Sequence, residues 1–200
     1  MGSGTAFTRD GIYAENSEYL EIRDNYCSWL SCGIDLYRSD YAYVHGNISD
    51  HNSDGIAVSF SNYTNISRNE IKSSKEDGIN MQNSNIGRMD NNTIGDSHNS
   101  NIFVAYGKGH LWENNALTNA STGITLDYVS SGIFESVRGG IVKFNNMQRN
   151  ECEFVQLVTI KNNDVHGNEK GISLWNSSVV VIKEQNSSYN DIVFTLENQV

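Results

Sequence analysis

The chain has 200 residues, enough for one domain with a continuous core. It carries 14 Lys plus Arg against 24 Asp plus Glu, a net charge of −10, which excludes the positive field that draws a protein to nucleic acid or to an anionic membrane. Its apolar runs reach about five residues, far short of the roughly 20 that a membrane-spanning helix needs.

The start, Met1-Gly2-Ser3-Gly4, has no charged-then-apolar secretion signal and reads as an artificial beginning, from which a native targeting segment would have been removed. Proline is absent, so no proline-rich linker divides the chain. There are 27 Asn and 24 Ser, yet also 18 Ile, ten Tyr and seven Phe. A disordered chain lacks that apolar complement. A fold is needed that puts Asn and Ile each in a regular place.

From Gly11 onward the chain repeats. Gly11-Ile12, Gly33-Ile34, Gly55-Ile56, Gly78-Ile79, Asn101-Ile102, Gly123-Ile124, Gly171-Ile172 and Asp191-Ile192 follow in steps of 22, 22, 23, 23, 22, 48 and 20 residues. The long step is two repeats with a short insertion, so about nine turns are predicted. Two residues after each Ile stands a second apolar residue, from Ala14, Leu36 and Val58 to Leu174 and Phe194. That i, i+2 spacing predicts a strand with one buried face. A second strand follows, with an apolar-x-apolar-x-x-Asn pattern: Leu20, Ile22 and Asn25; Ala42, Val44 and Asn47; Thr64, Ile66 and Asn69. Asn92 and Asn115 keep the register. Cys27, Ile71, Ile94, Leu117 and Val165 then mark a third inward column.

One such unit is too small to bury its own apolar face, so identical units must stack, Ile on Ile, about 4.8 Å apart. The Asn column suits a bend where backbone groups lose their ladder partners, because Asn tolerates left-handed φ and both donates and accepts. The Gly before each Ile is expected to serve another bend, with positive φ. The fold class predicted is all-β, a right-handed parallel β-helix of about nine rungs forming a single domain over residues 1–200. Between Tyr128 and about Cys152 the pattern breaks, which predicts a loop or hairpin excursion around residues 128–152. Neither end shows an amphipathic cap. The chain is then expected to be a fragment, or to pair end to end or side by side with other copies through its uncapped rungs.

The Gly-Ile-x-Val and Ile-x-x-Asn-x-Ile rungs resemble right-handed parallel β-helix repeats of the pectin-lyase-like superfamily, over roughly residues 10–198. Stretches such as 33–52 look most like rungs of mannuronan C5-epimerases and related polysaccharide-modifying proteins. The resemblance implies a polysaccharide partner and an extracellular or cell-surface location. The rung pattern is shared by enzymes and by non-enzymatic scaffolds, so catalysis stays open. The epimerase signature Tyr-Gly-Phe-Asp-Pro-His is missing, and the lyase Arg-x-Pro-x-x-Arg pattern is impossible without proline. The pectin-hydrolase Gly-His-Gly is absent too, since Gly109-His110 is followed by Leu111.

On the first strand of each repeat the outward residues form two columns. One runs Tyr13, Asp35, Ala57, Asn80, Phe103, Thr125 and Ser173; its neighbour runs Glu15, Tyr37, Ser59, Gln82, Ala105, Asp127 and Trp175. Aromatic rings beside carboxylates and amides suit sugar rings, which stack and hydrogen-bond, although such ladders also stabilise strand pairing alone. Glu15, Asp35, Tyr37 and Arg38, with Gln82 and Trp175, are the candidate substrate-binding residues. Glu15 and Asp35 would lie diagonally, about 8 Å apart at Cα. Tyr106, Lys108, His110, Asp127 and Tyr128 form the candidate catalytic cluster. Removing a proton beside a uronate carboxylate needs a base such as Tyr106 or His110 and a neutralising partner such as Lys108.

No cofactor is expected. Calcium at Asp10, Asp54 and Asp77 is a weaker reading than simple Asp-Gly turns, and no His or Cys spacing fits a metal. Cys27, Cys32 and Cys152 cannot all pair within the chain and are read as free thiols, with a Cys27–Cys32 bridge left open.

Overall fold

The computed structural model describes residues 9–85, 87–118 and 120–127 and, beyond them, the eight strands between residues 130 and 197. Side chains are described as far as residue 125, apart from those of 86, 108–110, 119, 122 and 123.

Five successive coils each carry three strands. They are β1 (Ile12–Glu15), β2 (Glu21–Arg23) and β3 (Tyr26–Ser28); β4 (Cys32–Tyr37), β5 (Tyr43–His45) and β6 (Ile48–Asp50); β7 (Asp54–Ser59), β8 (Asn65–Ser67) and β9 (Glu70–Lys72); β10 (Ile79–Gln82), β11 (Arg88–Asp90) and β12 (Thr93–Gly95); β13 (Ser100–Ala105), β14 (Lys108–Glu113) and β15 (Ala116–Thr118). Then come β16 (Thr122–Asp127), β17 (Ser130–Glu135), β18 (Val142–Asn145), β19 (Val158–Lys161), β20 (Asp164–His166), β21 (Lys170–Trp175), β22 (Val180–Lys183), β23 (Asn186–Ser188) and β24 (Ile192–Glu197).

Corresponding strands of successive coils pair in parallel. Among the described residues the first sheet has nine strands, from β1 to β24; the second has eight, from β2 to β22; the third has five, from β3 to β15, with β20 and β23 pairing separately. This is a parallel β-helix. Ile12, Ile34, Ile56, Ile79, Ile102 and Ile124 are in register with one another, as are Ala14, Leu36, Val58, Met81 and Val104. The segment expected as an excursion contributes two ladder strands: β17 pairs in parallel with β14 and β19, and β18 with β16 and β21. Its remaining residues lie outside those described.

The core is one spine. Ile34, Leu36, Ile56, Val58, Ile79, Met81, Ile102 and Val104 face Ile22, Val44, Ile66, Met89 and Trp112 from the second sheet and Ile71, Ile94 and Leu117 from the third. A buried aliphatic side chain contributes roughly 1.5–3 kcal/mol relative to an exposed one. Met89 and Trp112 occupy inward positions in the two coils whose second-strand pattern is weakest in the sequence.

At the bend between the second and third sheets, amides stack. Asn25 Nδ2 donates to Asn47 Oδ1 (3.0 Å), Asn47 to Asn69 (3.0 Å), Asn69 to Asn92 (3.0 Å) and Asn92 to Asn115 (3.0 Å). Each accepting oxygen also takes the backbone N–H of the Asn below it, as Asn69 Oδ1 takes that of Asn47 (2.9 Å). The Asn69 Nδ2 group donates back to the Val44 carbonyl (3.0 Å). These bonds satisfy backbone groups that the bend removes from the ladders.

The expected role of the Gly column is corrected. Among the described residues Gly46 is the one glycine with positive φ (64°). Gly33 is instead required by space. A Cβ there would lie 2.6 Å from the Gly55 carbonyl oxygen and closer still to Ser49 Oγ. The left-handed corners fall on other residues. Tyr19 (φ 55°), Tyr41 (58°) and Tyr63 (57°) share one corner, and Trp29 (62°) and His51 (57°) another. Left-handed backbone costs an ordinary residue about 1–2 kcal/mol. Ring stacking offsets this: Tyr19 lies 4.9 Å from Tyr41, Tyr41 lies 4.7 Å from Tyr63, and Trp29 lies 4.4 Å from His51. Cys27 and Cys32 are free thiols.

Two stability measurements follow. Asn69→Leu should destabilise the fold by roughly 1–3 kcal/mol in a urea melt, because it orphans buried donors and the Val44 carbonyl; a neutral result would remove the amide column as a stabilising element. Tyr41→Ala should cost about 1–3 kcal/mol through two lost ring pairs. Tyr41→Gly should cost about 1 kcal/mol less, since glycine adopts the corner without strain; equal losses would show that corner strain is negligible.

Candidate functional site

The alternation that sends Ile34 and Leu36 into the core sends Asp35 and Tyr37 outward from β4. Ala57, Ser59, Asn80, Gln82 and Phe103 alternate in the same way, whereas Ala105, expected outward, is buried; the backbone register of the expected columns holds throughout. Tyr13, Asp35, Ala57, Asn80, Phe103 and Thr125 are in register, and so are Glu15, Tyr37, Ser59, Gln82, Ala105 and Asp127. By backbone register alone, Lys143 and Asn145 of β18 continue the two rows. Trp175 pairs with Asn145 and Glu197 in the second column.

The strand starts form an acidic edge from Asp10, Asp54 and Asp77, which read as Asp-Gly turns in the sequence. Asp10 Oδ1 accepts the Cys32 N–H (3.1 Å), Asp54 Oδ1 accepts that of Asp77 (3.0 Å), and Asp77 Oδ1 accepts that of Ser100 (2.9 Å). Each carboxylate thus caps the backbone one coil on. Asn80 Nδ2 donates to Asp54 Oδ2 at 3.2 Å. Asp35 sits half-buried beside this edge, its carboxylate and those of Asp10 and the thiol of Cys32 offering atoms within 4.8 Å of one another. Burial, then the charges of Asp10 and Asp54, push the Asp35 carboxyl up to about 6. Burial and the neighbouring Asp54 and Glu76 likewise raise Asp77 to about 6, against the lowering effect of the Ser100 N–H. Asp54 is raised chiefly by burial. The Cys32 thiol is pushed far up by burial and by Asp35, Asp54 and Asp10. The available signal was Asp recurring one residue before the Gly column, which reads locally as a turn.

The strand ends form an aromatic edge. Phe60 meets Tyr37 edge-on at 5.7 Å, and the Arg38 guanidinium lies 5.0 Å from the Tyr37 ring centre. Tyr13 donates its hydroxyl to Glu15 (3.0 Å), and Gln82 donates to Asn80 (3.0 Å). Tyr13, Phe60 and Tyr106 are exposed. Of the candidate residues, Glu15, Asp35, Tyr37, Arg38 and Gln82 therefore share this face or its edge. Tyr106 stands at the corner after β13 (φ 56°). Lys108 and His110 belong by backbone to the second sheet and Asp127 to the first. The side chains of these three and of Trp175, and all of Tyr128, lie outside the described residues.

The family described as "Periplasmic copper-binding protein (NosD)" matches residues 2–99 and 76–199. The chain belongs to the NosD family. No curated protein sequence matches it. Among solved structures, the periplasmic alginate epimerase AlgG superposes with a TM-score of 0.59 at 17% identity, covering 94% of this chain and 45% of that one. A DFA-IIIase from Arthrobacter chlorophenolicus A6, bound to DFA-III, gives 0.64 at 10% identity, with 89% and 47% covered. The Agl-KA catalytic domain gives 0.58 at 12% identity, with 90% and 46% covered. The chain spans about half the length of these structures, and at such identities the likeness is one of fold.

The family name invites a test of copper against the described residues. Copper favours thiolate, thioether and imidazole donors. Asp10, Cys32 and Asp35 offer two hard carboxylates and one thiol whose proton is held by its surroundings. His45 lies 3.0 Å from Glu21, and His51 lies 2.7 Å from Asp50, away from this group. Met81 and Met89 are fully buried in the core. The Asp10, Cys32 and Asp35 group, the one such cluster of His, Cys, Asp or Glu among the described residues, does not fit copper.

The raised carboxyls predict an unusual pH response. A carboxyl whose folded pKa lies above its ordinary value near 4 binds a proton in the native state first. Its burden on stability is therefore fully present above about pH 6 and is relieved as the pH falls toward about 4. Asp35→Asn should raise the melting temperature at pH 7.5, with the difference from the parent shrinking to nothing near pH 4. An equal shift at both pH values would show that Asp35 ionises normally.

Proposed function

We propose that the chain is a polysaccharide-binding β-helix module whose binding face is the outward surface of the first sheet. One observation carries the reading: three rings on consecutive coils, exposed Tyr13, half-exposed Tyr37 and exposed Phe60, the last two meeting edge-on, lie beside hydrogen-bonding Glu15, Asp35, Asn80 and Gln82 on the first sheet. Sugar rings offer C–H faces to aromatics and hydroxyls to carboxylates and amides. A coil spacing of about 4.8 Å presents these groups on a scale close to that of a sugar unit. The structural neighbours support the reading, since one is an alginate epimerase and another holds DFA-III. A periplasmic location is part of the proposal, because the NosD family and AlgG are both described as periplasmic.

Binding is favoured over the uronate proton abstraction expected of Tyr106, Lys108 and His110. The charged groups described on this face are mainly acidic, and the backbone divides that cluster between two sheets.

A glycan array followed by calorimetry tests the proposal. Phe60→Ala and Tyr13→Ala should each weaken binding about tenfold, or 1.4 kcal/mol, read per folded protein because Phe60→Ala also gives up the edge-on contact with Tyr37. Unchanged affinity in both variants would move the site off this face. An array with no binding would leave a structural β-helix without a glycan partner.

A further inference from the structure

We propose that the polysaccharide bound by this face is uncharged, and that the carboxylates of Asp10, Glu15, Asp35, Asp54 and Asp77 select against polyuronates. This inference rests on the glycan-binding reading given above and names the substrate class of that same surface.

Four consecutive coils each contribute acid to the face or its edge: Asp10 and Glu15, then Asp35, then Asp54, then Asp77. At about 4.8 Å per coil they span roughly 15 Å, the reach of about three sugar units. The charged neighbours acting on Asp35 are Asp10 and Asp54; on Asp54, Glu76; on Asp77, Asp54 and Glu76. The groups acting on the Tyr13 hydroxyl are Glu15, Asp35 and Tyr37. No cation figures in any of these environments. Arg38 stands at the far edge with its guanidinium over the Tyr37 ring. Arg9 and Lys75 are exposed in the turns that lead to Asp10 and Asp77, so the acids Asp10, Glu15, Asp35, Asp54, Glu76 and Asp77 outnumber the cations there. The other described cations are engaged away from this face: Arg23 with Glu21 and Asp24, Lys72 with Glu70, Arg88 with Asp90 and Glu113, and Arg68 with the Tyr43 hydroxyl.

A polyuronate brings one carboxylate per sugar against this array. The partly buried surroundings screen such repulsion less than bulk water does. A neutral glycan meets the opposite condition. Among the described residues Asp35 has no hydrogen-bonding partner, so its oxygens are open to accept sugar hydroxyls. Hydrogen bonds to an ionised acceptor are stronger than neutral ones. The face therefore attracts hydroxyl donors and repels carboxylates through the same groups.

The test uses the full chain at pH 7.5 in low salt with EDTA, so that no divalent ion can bridge two carboxylates. Neutral gluco-, manno- and galacto-hexasaccharides are compared by calorimetry with hexauronates of the same length. At least one neutral hexasaccharide should bind, with every hexauronate about tenfold weaker or more. Raising the salt should narrow the gap. Asp54→Asn with Asp77→Asn should raise the ratio of hexauronate to neutral affinity several-fold; the ratio is read because it is insensitive to a general loss of folded protein. Hexauronate binding as tight as neutral binding, or a ratio unmoved by these substitutions, overturns charge selection while leaving the glycan-binding face in place. Failure of both ligand classes removes that reading and this inference with it.

Discussion

One spacing governs the molecule. Parallel pairing between coils sets successive rungs about 4.8 Å apart, and the 22–23-residue repeat returns the same kind of residue to the same place. Like therefore stacks on like. Ile34 lies over Ile56 and under Ile12, and Asn47 hands its amide hydrogens to Asn69 as Asn69 does to Asn92. The spacing also suits stacked rings, which explains Tyr41 between Tyr19 and Tyr63 at 4.9 and 4.7 Å. A residue type acceptable in one coil is stabilised by its copy in the next.

The same constraint builds the unfavourable features. Stacking places Asp54 beside Asp77 and Asp35 beside both Asp10 and Asp54, although like charges repel. The structure tolerates this because each edge carboxylate takes a backbone N–H from the next coil, so the acids replace ladder bonds lost where the third sheet turns into the first. Burial among like charges is what raises the Asp35 and Asp77 carboxyls to about 6. A structural device for satisfying the backbone thereby becomes an electrostatic property of an exposed face.

That face has two unlike margins. The backbone-capping carboxylates of Asp10, Asp54 and Asp77 line the strand starts, Tyr37 and Phe60 stand at the strand ends with Glu15 and Gln82, and Tyr13, Asp35 and Asn80 lie between. The separation follows from where the chain bends. A corner in left-handed backbone, such as that of Phe60 (φ 53°), holds its ring beside the strand end, whereas the strand starts need acceptors for unpaired N–H groups. The one cluster of His, Cys, Asp or Glu among the described residues, Asp10 with Cys32 and Asp35, does not match the copper in the family's description.

The repeat of Ile12, Ile34, Ile56 and Ile79 and the columns of Asp35 and Tyr37 were legible from the chain alone, because a strand period of two and a coil period of 22–23 are linear properties. So was the register of Asn47 with Asn69. The acidic edge was not legible, since Asp10, Asp54 and Asp77 look locally like Asp-Gly turns and their task is visible only when the next coil's amide lies above each of them. Gly33 was read as a turn former, but its lack of a side chain answers to Ser49 and Gly55, a crowding that no local rule foresees. Trp112 gave no strong pattern and proved a core residue. The sequence by itself determined the fold and which residues share a face, because periodicity encodes both. Only the tertiary structure decided what surrounds each carboxylate and glycine, because those neighbours come from other coils.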